Sequence, residues 1–574
     1  MKLNTKPFLS LAMMVAICLS NFTFAFAVYD EGMFAPGQIA SLPLKKKGLK
    51  IKPEEIYNPA GGGLTDAIIR LNAGGGSCTA EFVSPDGLIL TNHHCGFDAL
   101  VSASTPDRDL VETGFKADNR AGEITAKRYS IFITERVDDV TARIKAGTDS
   151  LTGDALASAY RKNTDDLTAA EQAKAPAGSI IRIQMVNNGY FFYQYQTRQF
   201  KDIRVVYAPP RNIGVFGGDP DNFEWTRHTG DFTFLRAYTA PDGTAAEYSP
   251  NNVPYKAKKY LTVNIGGLKD NDFVFVLGFP GGTTRYRESQ SIQFARDANF
   301  PFLAKWLNAL STSLRQIGST DEEKRIAFQA DIANFDNSRK LYDGGYLRLI
   351  QAGVVQQRQA DEVRLAAWIA ADPARQSRYG TLLSDIKTLS DETNAASSRD
   401  SIIRRFPDPN SMAVFGQIVA AAAAVKAGRS LTPVQRSGKQ AEITEALKGR
   451  EAVHERELLK FFFKAFDDLP ASQRFAAADQ RFANKKGKER RDAEALFATQ
   501  IADGELSSPA KIVELYGMSW SDLQSKHPFV AGLVDERAAY AARTANFAAK
   551  IDRLRLLYMQ AMTEMKGGTV YADA

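Results

Sequence analysis

Two adjacent histidines, His93 and His94, are followed at once by Cys95, and Cys78 stands earlier in the same short stretch. An imidazole is the side chain best suited to take and return a proton near neutral pH, so the pair offers a general base. A cysteine on each side of the stretch could fix such a ring by a disulfide. The alternative chemistry for cysteine and histidine, a structural metal centre, needs more ligands than the two cysteines. A plain structural hairpin carrying two surface histidines would look the same if this stretch were all there was.

The stretch itself says how the histidines are held. Two short apolar, β-favouring runs flank Ser84-Pro85-Asp86-Gly87, with proline second and glycine fourth as a type I turn prefers. The spacing predicts a β-hairpin that delivers His94 at the end of a strand. Farther on, Ile181 to Val186 and Tyr190 to Tyr195 flank Asn187-Asn188-Gly189, another hairpin, because asparagine and glycine accept the positive φ angles such a turn needs. Ile203 to Tyr207 adds a strand, and Asp154 to Lys174 has helical, alanine-rich spacing. The aromatic run Tyr190-Phe191-Phe192-Tyr193 reads as sheet packing.

The chain has 574 residues, 44% hydrophobic and 24% charged, ordinary for a globular protein with two or more domains. Lys2 and Lys6, the apolar run from Phe8 to Leu19 and Ala25-Phe26-Ala27 have the order of a secretory signal peptide, with cleavage expected after Ala27. The mature protein is then periplasmic or secreted. No later segment is apolar and long enough to span a bilayer. Losing Lys2 and Lys6 takes two from the formal net charge of +6, leaving +4 mixed along the chain, too weak a bias for nucleic acid. Cys18 leaves with the signal. Cys78 and Cys95 are then the only pair left, and closing their loop would contribute about 3 kcal/mol on the chain-entropy model.

Sheet signals stop after Asp272-Phe273-Val274-Phe275-Val276-Leu277. From about Ser289 to Lys566 nearly every segment has helical spacing, interrupted at Pro373, Pro407, Pro409, Pro433, Pro470, Pro509 and Pro528. Thr320 and Glu323 read as a capping box. Gly567-Gly568 stops the last helix and Thr569-Val570-Tyr571 begins something extended. Asp219-Pro220-Asp221-Asn222 lacks the spaced ligands of a calcium loop. No metal site and no cofactor is expected.

Five separated stretches carry a resemblance. They are Asp30-Glu31-Gly32-Met33-Phe34, Thr91-Asn92-His93-His94-Cys95-Gly96, the run Asp221-Asn222-Phe223 through Trp225 and Arg227-His228-Thr229-Gly230-Asp231-Phe232, Gly278 with Pro280-Gly281, and Asn337 with Lys340 and Gly344. In this order they resemble the bacterial serine dipeptidyl-peptidases typified by dipeptidyl-peptidases 7 and 11. Phe223 and Thr226 depart from the usual tryptophan and proline of that pattern.

The resemblance implies a chymotrypsin-like double β-barrel of α+β class, with a large helical domain inserted into the second barrel as a cap. The expected division is a signal peptide at 1–27, a barrel part at 28–288, the inserted helical domain at 289–566, and at 567–574 the start of the remaining second barrel. His94, the histidine next to Cys95, is implied as general base, with His93 a structural ring. Asp231, expected as the first residue of its strand, is implied as the carboxylate that orients His94. Asn222 and Asn337 are implied as acceptors for the free α-ammonium of a peptide, with Phe223 packing on the substrate. The implied activity is release of dipeptides from free peptide N-termini.

A serine nucleophile in a Gly-x-Ser-Gly turn is not found in the 574 residues. The expectation is therefore an inactive fragment whose serine lies beyond Ala574; a non-catalytic peptide-binding protein is the alternative. Oligomeric state stays open, a homodimer among the options.

Overall fold

The computed structural model describes residues 33–74, 76–148, 150–151, 153–408, 410–483, 485–567 and 571. The expected signal segment, Asp30, Glu31 and Gly32 of the first motif, Pro409, and residues 568–570 and 572–574 lie outside them.

Eleven strands form one antiparallel sheet: β1 (Ile68–Ala73), β2 (Gly76–Phe82), β3 (Leu88–Thr91), β4 (Phe115–Lys116), β5 (Ile124–Thr125), β6 (Ser130–Asp139), β7 (Ser179–Val186), β8 (Phe191–Phe200), β9 (Asp202–Ala208), β10 (Thr233–Thr239) and β11 (Val253–Pro254). The order is β4-β9-β10-β3-β2-β1-β6-β8-β7, with β11 paired to β10 and β5 to β9. Ile69, Leu71, Ala80, Phe82, Ile89 and Leu235 are almost wholly buried. They alternate with partners on the opposite face, the period of two that packs one side of a sheet against a core.

Both expected hairpins form. Between β2 and β3 the Ser84 hydroxyl accepts from the Asp86 and Leu88 amides, each at 3.2 Å. Gly87 has φ +66°, and a Cβ there would fall 2.8 Å from the Tyr255 carbonyl oxygen and 2.9 Å from that of Ala237, so the turn requires glycine. Between β7 and β8, Asn187 and Asn188 have φ of 54° and 53°.

The double barrel is not what the described residues form. Residues 261–277, expected to open a second barrel, make no strand. Only their flanks are anchored: the Leu261 amide donates to the Phe82 carbonyl at 2.8 Å and the Phe279 amide to the Thr79 hydroxyl at 2.8 Å. A strand exists through the ladder to a neighbour, and among the described residues no segment pairs with this one, so Val263, Ile265, Val274 and Val276 stand exposed.

Helices occupy Ser289–Phe294 through Pro528–Lys566. Pro373, Pro433, Pro509 and Pro528 each open a helix, where the missing N–H has no intrahelical partner to lose. The expected capping box at Thr320 is displaced by one residue. Asp321 caps Glu322–Ala327 by accepting from the Lys324 amide at 3.1 Å, while the Thr320 hydroxyl donates backwards to the Ile317 carbonyl. A carboxylate is the stronger acceptor at the positive end of a helix. The aromatic residues Trp306, Phe406, Phe415, Phe462, Phe463 and Phe529 knit one helical core.

The helical run is tied at both ends. Glu288, just before its first helix, is fully buried and accepts from Arg555 of its last helix at 2.8 and 3.1 Å. Toward the sheet, Asp109 accepts from Arg325 at 2.9 Å and from Gln329 at 3.1 Å. No described helix is long and apolar enough to cross a membrane.

Candidate active site

Pairing of β3 with β10 sets Thr91 opposite Thr233. The chain leaves β3 at Thr91 and turns into the short 3-10 helix His94–Gly96, while Asp231 stands two residues ahead of β10 rather than being its first residue. Adjacent antiparallel strands run in opposite directions, so the residue after one and the residue before the other meet at the same edge. His94 Nδ1 lies 2.9 Å from Asp231 Oδ2, and the His94 backbone N–H donates to Asp231 Oδ1 at 3.1 Å. Asn92 Nδ2 donates to the same carboxylate at 3.2 Å. The two acceptor oxygens thus face three donors.

The electrostatics follow from burial. The Asp231 side chain is 15% exposed and that of His94 64%. Burial works to raise the Asp231 carboxyl, but the hydrogen bonds and charge of His94 outweigh it and hold the group below the usual aspartate range. Asp231 is therefore an anion at neutral pH, bonded to Nδ1, which leaves Nε2 as the basic nitrogen of an accessible ring. Cys95, next in sequence, is bonded to Cys78 with Cα atoms 6.4 Å apart, and the Cys95 carbonyl accepts from the Tyr129 hydroxyl at 2.8 Å. The bridge and the tyrosine pin the backbone that carries the imidazole.

His93 points the other way. It is fully buried, packs edge-on against Phe97 at 5.1 Å, and lies so near Gly214 that a Cβ there would come within 2.5 Å of the ring. Burial pushes its imidazole below the ordinary histidine value. The cysteines and His94 have their ligand atoms close together, but both sulfurs are spent in the disulfide and offer no thiolate.

The loop before Asp231 meets the helix Gln329–Gln351. Asn222 Nδ2 donates to Asn337 Oδ1 at 2.8 Å, and Arg227 donates to Asn222 Oδ1 at 3.1 Å. Lys340 donates to the Pro220 carbonyl at 3.2 Å and pairs with Glu224 at 3.3 Å, and Arg339 pairs with Asp219. The structure thus brings the two asparagines together from distant parts of the chain. Phe223, beside them, has φ +60° and is 52% exposed, and Trp225 is 94% exposed. Aromatic rings held out of a core, one on a left-handed backbone, are what a binding surface needs and a folding core does not. Sequence reasoning missed Asn92, Arg227 and the ion pairs of Arg339 and Lys340. Asn92, Arg227 and Lys340 lay within quoted motifs and Arg339 beside one, but the contacts they make show only in the fold.

Residues 29–574 match the Peptidase S46 family, and the chain belongs to it. It is 35% identical over 388 residues to a dipeptidyl-peptidase 7 of Capnocytophaga gingivalis, covering 66% of this chain and 52% of that protein. It is 30% identical over 573 residues to an Asp/Glu-specific dipeptidyl-peptidase of Flavobacterium psychrophilum, covering 95% and 76%. The chain spans about half the length of most of the curated relatives it matches. In three dimensions it is similar to the crystal structure of Porphyromonas endodontalis DPP11 in complex with the dipeptide Arg-Glu, with a TM-score of 0.75 at 24% identity, covering 95% of this chain and 79% of that one.

Proposed function

We propose that this S46 peptidase chain carries the base and orienting carboxylate of an exported serine dipeptidyl-peptidase that removes dipeptides from free peptide N-termini. The observation that carries the reading is the pair His94–Asp231, with the carboxylate on Nδ1 and the ring open on its other edge. That is the half of a serine-type site that activates a hydroxyl: Nε2 takes the nucleophile's proton during attack on the scissile carbonyl and returns it to the leaving amine, while Asp231 holds the tautomer and stabilises the imidazolium. Among the described residues no serine hydroxyl bonds the His94 ring. Relatives of which the match covers 52% and 76% support a nucleophile supplied by sequence outside these 574 residues, and the exposed apolar side chains of 261–277 support a partner surface that such sequence would cover.

Exopeptidase action needs an acceptor for the substrate's α-ammonium, because a buried cation without partners is costly. In our reading Asn222 and Asn337 supply it, their carbonyl oxygens turning from Arg227 and from each other toward the ligand, with Phe223 against the peptide. The relatives' names and the Arg-Glu complex of DPP11 support a dipeptidyl substrate. Export is supported by the leader-like first residues and by a disulfide, which persists in oxidising compartments.

The test is hydrolysis of free-amine dipeptidyl anilides by the protein made from the whole coding sequence and by the 574-residue protein. Activity is expected in the former, abolished by His94→Ala, and absent from the latter. Full activity after His94→Ala overturns the assignment of the base, and hydrolysis by the 574-residue protein overturns the placement of the nucleophile.

A further inference from the structure

A second concave site lies on the sheet between β6 and β8, built from residues that the peptidase reading does not use. Phe191, Tyr193 and Tyr195 alternate along β8 and so project from one face. Across the ladder Val137 stands opposite Tyr195, and Asp139 opposite Tyr193. Tyr57 closes one side, its hydroxyl donating to the Val137 carbonyl at 3.3 Å, and the 3-10 helix Pro36–Ser41 closes another. The half-open cavity is about 220 Å³. That is below the roughly 300–1,000 Å³ of pockets for drug-sized ligands, and of the scale of a single side chain.

The lining has one sign of charge. Asp139 supplies the only ionised group among the lining residues, and no described residue forms an ion pair with it; its Oδ1 accepts from the Thr141 amide at 2.9 Å. Lys145, which feels the Asp139 charge, is held elsewhere, donating to the Tyr190 carbonyl at 3.0 Å and lying 5.5 Å from the centre of the Tyr190 ring. Tyr193 is 8% exposed, and its hydroxyl, with no hydrogen bond to a described residue, is open to the cavity and not sealed in the core. Burial first, then the charge of Asp139 and the neighbouring Tyr195 and Tyr57, push that hydroxyl up to about 12, so it keeps its proton at neutral pH.

Three tyrosyl rings, a phenylalanine and a carboxylate with no ion-pair partner among the described residues, in one cavity, attract a compact organic cation. The rings present negative faces, the carboxylate supplies the counter-charge, and the Tyr193 hydroxyl remains to accept an N–H. We propose that this cavity is a binding site for an alkylammonium group of the lysine side-chain type, separate from the His94–Asp231 site.

The probe is N-acetyl-lysine methylamide, whose blocked α-amine cannot use an exopeptidase amine anchor, with N-acetyl-norleucine methylamide as its uncharged counterpart. Ligand-observed NMR on the 574-residue protein should show saturable, millimolar binding of the lysine compound and roughly tenfold weaker binding of the norleucine compound. Asp139→Asn keeps an oxygen for the Thr141 amide and should weaken the lysine compound roughly tenfold while leaving the norleucine compound unchanged. Tyr193→Phe, with an unchanged melting temperature, should weaken the lysine compound alone. Equal binding of the two compounds, no saturation, or full affinity in Asp139→Asn overturns the proposal.

Discussion

Replacing Asp231 by asparagine tests the dyad because the geometry leaves the amide no good orientation. Asp231 Oδ1 faces the His94 backbone N–H and Oδ2 faces both His94 Nδ1 and the Asn92 amide nitrogen. If the asparagine oxygen takes the Oδ1 position, its NH₂ donates to the ring, which must accept at Nδ1 and carry its proton on Nε2. The nitrogen meant to be the base is then already protonated. If the amide is flipped, NH₂ meets the His94 backbone N–H and two donors face each other, leaving one unsatisfied at about 1–3 kcal/mol. The first orientation also points NH₂ at the Asn92 amide nitrogen, but Asn92 is exposed and can turn its oxygen to that NH₂, whereas the backbone N–H of His94 cannot turn away. The first orientation therefore wins, and the wrong tautomer together with the lost anion should lower turnover about 10⁴-fold in the complete enzyme, a barrier increase of about 5 kcal/mol. The assay is kcat on a free-amine dipeptidyl anilide, paired with ¹⁵N spectra of the His94 imidazole, which report the proton's position without needing turnover. A loss below tenfold, or spectra with the proton still on Nδ1 in Asp231→Asn, would refute the reasoning.

His454 gives a pH prediction for the helices. Burial pushes its imidazole down to about 4, with Nδ1 2.6 Å from the Ser313 hydroxyl. A histidine depressed in the folded state binds its proton more readily when unfolded, so its contribution is fully present above the unfolded value and is lost as pH falls from about 6.5 to about 4, by up to about 3 kcal/mol. Denaturant midpoints followed by circular dichroism should fall across that window, and His454→Gln should flatten the fall; an equal slope in the variant refutes the assignment. For the disulfide, thiol titration of denatured, unreduced mature protein should find no free cysteine, and two free thiols would contradict the Cys78–Cys95 bridge. In the complete enzyme, Asn337→Ala should raise KM or lower kcat/KM for free-amine substrates while N-acetylated ones stay poor; unchanged kinetics for both Asn337→Ala and Asn222→Ala would show that the amine is held elsewhere.

Local signals in the sequence determined the hairpins, because a turn is decided by a few adjacent residues: Pro85 and Gly87 in one, Asn187, Asn188 and Gly189 in the other. They likewise determined the helical stretch after Ser289, where first-turn prolines mark the boundaries, and pointed to Cys78 and Cys95 as a pair, which the structure bonds. Motif order identified the family and singled out His94 and Asp231. What the sequence could not determine depends on partners far away in the chain. Asp272 to Leu277 has every local mark of a strand, yet forms none among the described residues, since a strand is fixed by the neighbour it pairs with. Asn222 and Asn337 were marked by resemblance alone, and it is the meeting of the loop and the helix that puts them in contact and brings in Arg227, Lys340 and Arg339. The two adjacent histidines differ only in the fold, where His93 is sealed against Phe97 and Gly214 while His94 stands at the edge where β3 and β10 bring it to Asp231. Burial and long-range pairing are properties of the whole fold, and no window of sequence contains them.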